Sequence, residues 1–312
     1  MSEASRVCLA VSEEARRTPI EKIDRSPVTI ADFGSQALIL RALYETFPGV
    51  SVIAEEDASP LQDPQNSRLL DRLVDHVNRV RPYTDADDVL SWIDWGKADQ
   101  DPDYFWTLDP IDGTKGFLRE DQYAISLCLV VEGALSVAAL GCPMLVGSAG
   151  NKGILLYAVK GEGAFELPLS LEGTPSPLHV SDLADVTKIH FTESVESAHS
   201  SHGDSARIAT TLGIQAAPCR IDSQTKYAAV ARGNSEAYIG LPKNDGTYEE
   251  KVWDHAGGAL VVQEAGGRVT DIKGEPLDFH QGRTLKNNTG ILATNGLVHD
   301  VILGAIETLK IG

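Results

Sequence analysis

Positive charge is what this chain most conspicuously lacks. Against 45 Asp and Glu it carries 27 Lys and Arg, a formal net charge of −18 over 312 residues. Nucleic acid polymers and anionic membranes are held through basic surfaces, so neither is expected as a partner. Cysteine is scarce as well. Cys8, Cys128, Cys142 and Cys219 are widely spaced with no Cys-x-x-Cys pair, which argues for neither a zinc site nor a disulfide framework and predicts four reduced thiols. No apolar run reaches transmembrane length, and the opening Met1-Ser2-Glu3-Ala4-Ser5-Arg6 leads into an acidic helical stretch without the apolar core of a secretory signal. A cytoplasmic location is the expectation. No repeat or low-complexity tract is visible. What is present is an ordinary globular composition, 42% hydrophobic, long enough for two domains or one large layered unit.

The hydrophobic periodicity predicts helices over 3–17, 31–47 and 67–80; in the second, Phe33, Ala37, Leu40 and Tyr44 share a face and Pro48-Gly49 ends it. The region from Asp57 to Asp103 is polar and reads as containing loops. Strands are expected at 104–109, at 124–131 and 134–141 around Glu132-Gly133, and at 153–166 around Gly161-Glu162-Gly163. Residues 167–185 hold Pro168, Gly173, Pro175 and Pro177 and are the best boundary. Beyond them strands (188–192, 216–221, 236–240, 268–271, 290–294) alternate with helices (203–212, 223–232, 255–265, 297–310), the rhythm of an α/β layer. Two units follow, 1–180 as α+β and 181–312 as α/β.

The most informative segment is Asp109-Pro110-Ile111-Asp112-Gly113-Thr114. Pro110 biases Asp109 toward extended backbone and Gly113 permits a sharp turn, so two carboxylates and a hydroxyl are fixed close together. Such a pair suits Mg²⁺, which is usually held by one or two carboxylates plus a substrate phosphate. A turn that merely closes a strand is the plainer reading. Glu55-Glu56-Asp57 follows the apolar run 50–54, and Trp253-Asp254 precedes the small-residue stretch from Ala256. Taken singly these read as a solvated acidic face and a helix N-cap; in combination they read as ligands.

Glu55-Glu56, the 109–114 segment and Trp253-Asp254-His255-Ala256-Gly257-Gly258, in that order, resemble the signature of the Mg²⁺-dependent, lithium-sensitive inositol monophosphatase superfamily. Lys115-Gly116-Phe117-Leu118-Arg119 and Asp222-Ser223-Gln224-Thr225-Lys226-Tyr227 resemble, within it, the 3′(2′),5′-bisphosphate nucleotidases. The similarity runs from about Ser26 to Gly296. It implies a layered αβαβα sandwich of the inositol monophosphatase and fructose-1,6-bisphosphatase type, with α+β and α/β parts. It also implies two or three Mg²⁺ ions held by Glu55, Asp109, Asp112, Asp254 and the carbonyl of Ile111, with Asp32 and Thr114 positioning and activating the attacking water. Backbone N–H groups at Gly113 and Thr114 would face the phosphate, and His199, Ser223 and Lys226 would contact the nucleotide. Read alone, Asp32 is a first-turn acid complementing a helix dipole, Ser223 and Lys226 are an N-cap and an exposed cation, and the His199 loop is solvated surface.

One departure stands out. The nucleotidases it resembles often carry an Arg where this chain has Gly240; Lys243 is the nearest compensating cation. The expected reaction is Mg²⁺-dependent removal of the 3′-phosphate from adenosine 3′,5′-bisphosphate, giving AMP, and from 3′-phosphoadenylyl sulfate. The alternatives are an inositol phosphate phosphatase, against which Lys115-Gly116-Phe117 argues, and a non-catalytic Mg²⁺ and nucleotide sensor. A nucleic-acid-binding module conflicts with the charge. The expected partner is a small-molecule nucleotide, with no obligate protein partner implied.

Overall fold

Strand-forming and helix-forming stretches alternate along the chain, and the computed structural model shows how they pair. It describes residues 1–17, 26–98, 103–195, 201–242 and 249–312. In chain order come helices α1 (Ser2–Arg17) and α2 (Ser26–Thr46), strand β1 (Ser51–Ala54), helices α3 (Ser67–Val80) and α4 (Ala86–Asp94), strand β2 (Tyr104–Asp112) and the short helix α5 (Thr114–Leu118). Strands β3 (Ala124–Val131), β4 (Ala134–Val146), β5 (Lys152–Val159), β6 (Gly163–Pro168) and β7 (Ser176–Pro177) follow. The rest comprises β8 (Phe191–Glu193), α6 (His202–Leu212), β9 (Cys219–Arg220), α7 (Thr225–Ala231), β10 (Ala237–Gly240), α8 (Ala256–Glu264), β11 (Arg268–Thr270), β12 (Ile291–Thr294) and α9 (His299–Leu309).

Strands β1 to β7 form one sheet in sequence order, antiparallel except for the parallel β1–β2 pair. The second sheet, β11-β12-β10-β8-β9, is mixed. Helices α1 to α4 cover the outer face of the first sheet, α7 and α8 lie between the sheets, and α6 and α9 cover the far face of the second. This is the αβαβα sandwich. All four cysteines are free thiols, three of them buried. Among the described residues no helix is long and apolar enough to cross a membrane.

Three expectations shift. Helix α2 begins at Ser26, so Asp32 is not a first-turn acid; the helix is buried on most sides, while Tyr44 is exposed and meets Trp95 edge-on. Helix α4 is a second helix within the polar region 57–103, where only 67–80 is expected to be helical. Asp85 and Asp88 in fact form a reciprocal cap, each side chain accepting from the other's N–H. The strands expected at 188–192 and 216–221 are only three and two residues long, at 191–193 and 219–220.

The middle layer is thin because α8 opens with small residues. A Cβ on Gly258 would stand 2.4 Å from the Tyr227 ring of α7, and one on Gly257 2.4 Å from Ser126 Oγ of β3. Glycine here lets three elements approach closely beside the acids described below. Gly258→Ala should therefore destabilise by about 1–3 kcal/mol in urea unfolding, whereas Gly304→Ala in α9, where an added methyl meets nothing within 4 Å, should be neutral or stabilising. Equal effects at the two sites would refute the packing account.

Candidate active site

Strand β2 pairs with β3 as far as Asp109, opposite Ser126, and resumes at Asp112, opposite Ala124. Pro110 and Ile111 thus stand against Ile125 alone, which is a β-bulge. Proline has no N–H to offer the ladder, and its carbonyl is held by Ser35 Oγ of α2 at 2.8 Å. The bulge resets the strand's alternation, so that the Asp109 and Asp112 carboxyls face one cluster. Gly113 then takes φ +90° and α5 starts at Thr114, which is exposed. A Cβ on Gly113 would lie 2.9 Å from the Cβ of Ser223, so this glycine serves both the turn and a close contact with the second half of the chain.

Parallel pairing of β1 with β2 brings the end of β1 beside the bulge, and Glu55 N–H donates to the Leu108 carbonyl at 3.1 Å. Asp254 closes a 3-10 turn, Val252–Asp254, just ahead of α8. Asp32 is buried on α2 and faces Glu56 and Glu55. Glu55, Asp109, Asp112, Asp254 and Asp32 therefore share one neighbourhood, and Ile111 lies in its bulge.

The electrostatics are those of an incomplete site. Burial pushes Asp109 well above the usual carboxylate range, and Glu55, Asp112, Asp254 and Asp32 push it further. Asp32 is raised well above that range by burial, then by Glu56 and Glu55. Burial and the Asp112 charge push Asp254 up to about 7. Glu55 is exposed as a whole residue yet crowded at its carboxyl end, and it and Asp112 are raised as well, mainly by desolvation. Asp109 Oδ1 is buried with no hydrogen-bond partner. Oxygen donors that repel one another around an unsatisfied acceptor are the donor set of a hard divalent cation, and these residues fit one. His255 is engaged otherwise, its Nε2 lying 3.0 Å from Glu250 Oε2 and its Nδ1 2.8 Å from the Tyr227 hydroxyl.

A cavity of about 390 Å³ opens beside Asp112 and Asp254, with Ser223, Lys226, Tyr238 and Gly240 in its wall. Lys226 is not the exposed cation of the plain reading: it is 6% exposed, its Nζ donates to the Ser223 carbonyl at 2.8 Å and lies 5.1 Å from the Tyr238 ring centroid. Ser223 is buried in the left-handed region, φ +66°. Gly240 is not in that region; a Cβ there would stand 2.9 Å from the Tyr238 hydroxyl, so the small residue makes room for the tyrosine. His199 and Lys243 lie outside the described residues.

Sequence reasoning missed Gln224, which is buried and binds in four directions. Its N–H donates to Asp112 Oδ2, its Nε2 to the Trp253 carbonyl at 2.9 Å, and its Oε1 accepts from Ser126 Oγ at 3.0 Å and Gly258 N–H at 2.9 Å. A glutamine at a helix start carries no sequence signal of that task.

Residues 3–310 match the Inositol monophosphatase family. A 3′(2′),5′-bisphosphate nucleotidase from Schizosaccharomyces pombe is 41% identical over 308 residues, covering 94% of this chain and 87% of that protein. One from Oryza sativa is 42% identical, covering 97% and 90%. Among solved structures, inositol monophosphatase from Anabaena superposes with a TM-score of 0.63 at 22% identity over 99% of this chain and 95% of the other, and a staphylococcal IMPase-II with 0.65 at 21% over 99% and 90%; at such identities they speak for the fold. With a match along nearly its whole length, the chain belongs to the metal-dependent inositol monophosphatase family.

Proposed function

We propose that this chain is a Mg²⁺-dependent phosphoric monoester hydrolase that removes the 3′-phosphate of adenosine 3′,5′-bisphosphate, yielding AMP, and of 3′-phosphoadenylyl sulfate. The observation that carries the reading is the junction of the acid cluster with a cavity of nucleotide size whose wall includes the buried Ser223 and Lys226. Relatives named 3′(2′),5′-bisphosphate nucleotidase, about 41% identical along most of the chain, support it. The charge of the cavity supports the metal. Asp112, Glu249, Glu250 and Asp254 line it against Lys226 and Lys286, a balance that repels a bisphosphate unless cations reverse the local sign.

Glu55, Asp109, Asp112, Asp254 and the Ile111 carbonyl would hold two or three Mg²⁺. When bound, the cations neutralise charge on the phosphoryl oxygens and the leaving alkoxide and make water more acidic. The protein's share is positional, as phosphoryl transfer requires. The bulge holds Asp109 and Asp112 at fixed spacing, and the Gly113–Thr114 backbone receives the phosphate. Thr114 orients the attacking water, and Asp32, shielded from solvent on α2, takes its proton. Ser223 and Lys226 bind the nucleotide from the α7 side, with Tyr238 and Pro242 as cavity wall.

The test is phosphate release from adenosine 3′,5′-bisphosphate, 3′-phosphoadenylyl sulfate and inositol 1-phosphate, each with Mg²⁺ and with EDTA. Release from the two nucleotides only with Mg²⁺ is expected; preference for the inositol ester would select the other phosphatase, and binding without release a sensor. Asp109→Asn and Asp112→Asn should each lower turnover at least about 10²-fold. In EDTA, Asp109→Asn should melt no lower than the wild type, because it removes one of several repelling buried charges; a lower melting point would deny the repulsion. Asp32→Asn should cut kcat about 10²-fold with little change in KM, the pattern of a proton acceptor rather than a binding group. A loss confined to KM would reassign it.

A further inference from the structure

Glu55 and Asp254 each sit at the end of a structural element, outside both sheets: Glu55 follows the last residue of β1, and Asp254 closes a 3-10 turn. Arg283 touches both segments. Its Nη2 donates to the carbonyl of Ala54, the residue before Glu55, at 2.7 Å across 229 positions of sequence. Its guanidinium lies 4.6 Å from the ring centroid of Trp253, the residue before Asp254. The backbone on either side is tied to the same turn. Val252 N–H donates to the Arg283 carbonyl at 3.2 Å, Leu285 N–H to the Glu250 carbonyl at 2.8 Å, and Lys251 bridges Thr284. The stem of Arg283 is therefore fixed to the Asp254 turn while its head reaches the Glu55 strand.

The residue type matches this geometry. A planar guanidinium can stack on an indole and still donate an N–H from its edge, whereas an ammonium is a point charge that cannot do both with the same fit. Its charge works against the cluster's purpose, since Arg283 shares a cavity of about 320 Å³ with Glu55, Glu56, Asp57 and Lys97, and a fixed cation there repels an incoming one. A residue kept for charge alone would weaken metal binding.

We propose that Arg283 is a positioning residue of the metal centre, clamping the Glu55 and Asp254 segments at a fixed spacing. This rests on the reading that those acids hold a divalent cation. The two contributions have opposite signs: loss of the clamp weakens metal binding, and loss of the charge tightens it.

The experiment is calorimetric titration of the full chain with Mg²⁺, and with Mn²⁺ as a second probe, for the wild type, Arg283→Ala, Arg283→Lys and Lys97→Ala, with melting curves in EDTA. Arg283→Ala should raise Kd about 10-fold or more, the scale of groups that orient metal ligands from behind. Arg283→Lys should recover only part of the loss, and Lys97→Ala, which removes a cavity charge but neither contact, should leave Kd unchanged or lower. An unchanged or lower Kd in Arg283→Ala overturns the proposal, and a drop in melting temperature with wild-type Kd reduces Arg283 to a stabilising contact. If Arg283→Ala does not fold, Arg283→Lys decides: wild-type Kd in that variant overturns the clamp. Failure of the wild type itself to bind Mg²⁺ or Mn²⁺ would instead overturn the underlying reading of the acids.

Discussion

Repulsion among carboxylates held in one partly desolvated place is the constraint around which this molecule is organised. On top of what burial does, Asp109 is raised by Glu55, Asp112, Asp254 and Asp32, Glu55 by Asp254 and Asp112, Asp254 by Asp112, and Asp32 by Glu55. Left to themselves such groups would separate into water, so the fold must hold them together at a cost in stability. It does so with elements that cannot yield. A parallel strand pair fixes Glu55 beside the bulge, Ser35 grips the Pro110 carbonyl, and the buried Gln224 ties Asp112 to the Trp253 turn. A site strained in this way stores affinity for whatever opposite charge enters it.

The middle helical layer serves the same end. Helices α7 and α8 lie between two sheets, and their small residues let Ser126, Tyr227 and Gln224 meet without voids. That packing brings the 222–226 segment from the second sheet's side against Gly113 on the first. The cavity is thus lined from both halves of the chain, by Asp112 from the first and by Ser223, Lys226 and Asp254 from the second. Lys226 illustrates the result. Burial lowers its proton affinity below the usual lysine value, and Asp112, Asp222, Asp254 and Glu250 oppose that shift only in part.

Two residues near the acids and the cavity acquire meaning only from their neighbours. Gly240 reads in sequence as a missing arginine; in the fold it is the space into which the Tyr238 hydroxyl turns, with the Tyr238 ring set edge-on to Tyr227 and near Lys226. Trp253 reads as a motif residue next to an acid; in the fold it is gripped through its carbonyl by Gln224 and across its ring by Arg283. Trp253's partners are remote in the chain, and the ring that turns into the Gly240 space is set by Tyr227 and Lys226, so neither arrangement leaves a local pattern.

The sequence by itself determined the layered fold through its resemblance to a known family, and it singled out Glu55, Asp109, Asp112 and Asp254 through their local settings. Proline and glycine fix a bulge and a turn by their backbone chemistry, periodicity marks strands and helices, and acids placed at element ends stand out against apolar runs. Read alone, Asp32 is a first-turn acid and Lys226 an exposed cation, whereas both are buried. Only the tertiary structure decided that Lys226 is buried, that α2 starts early enough to carry Asp32 inward past the first turn, and that Asp85 and Asp88 cap a helix. It alone disclosed Gln224 and Arg283. The physical reason is that burial, charge coupling and hydrogen bonds depend on which distant segments a residue meets, and a lone Gln or Arg carries no periodicity or spacing from which those meetings can be read.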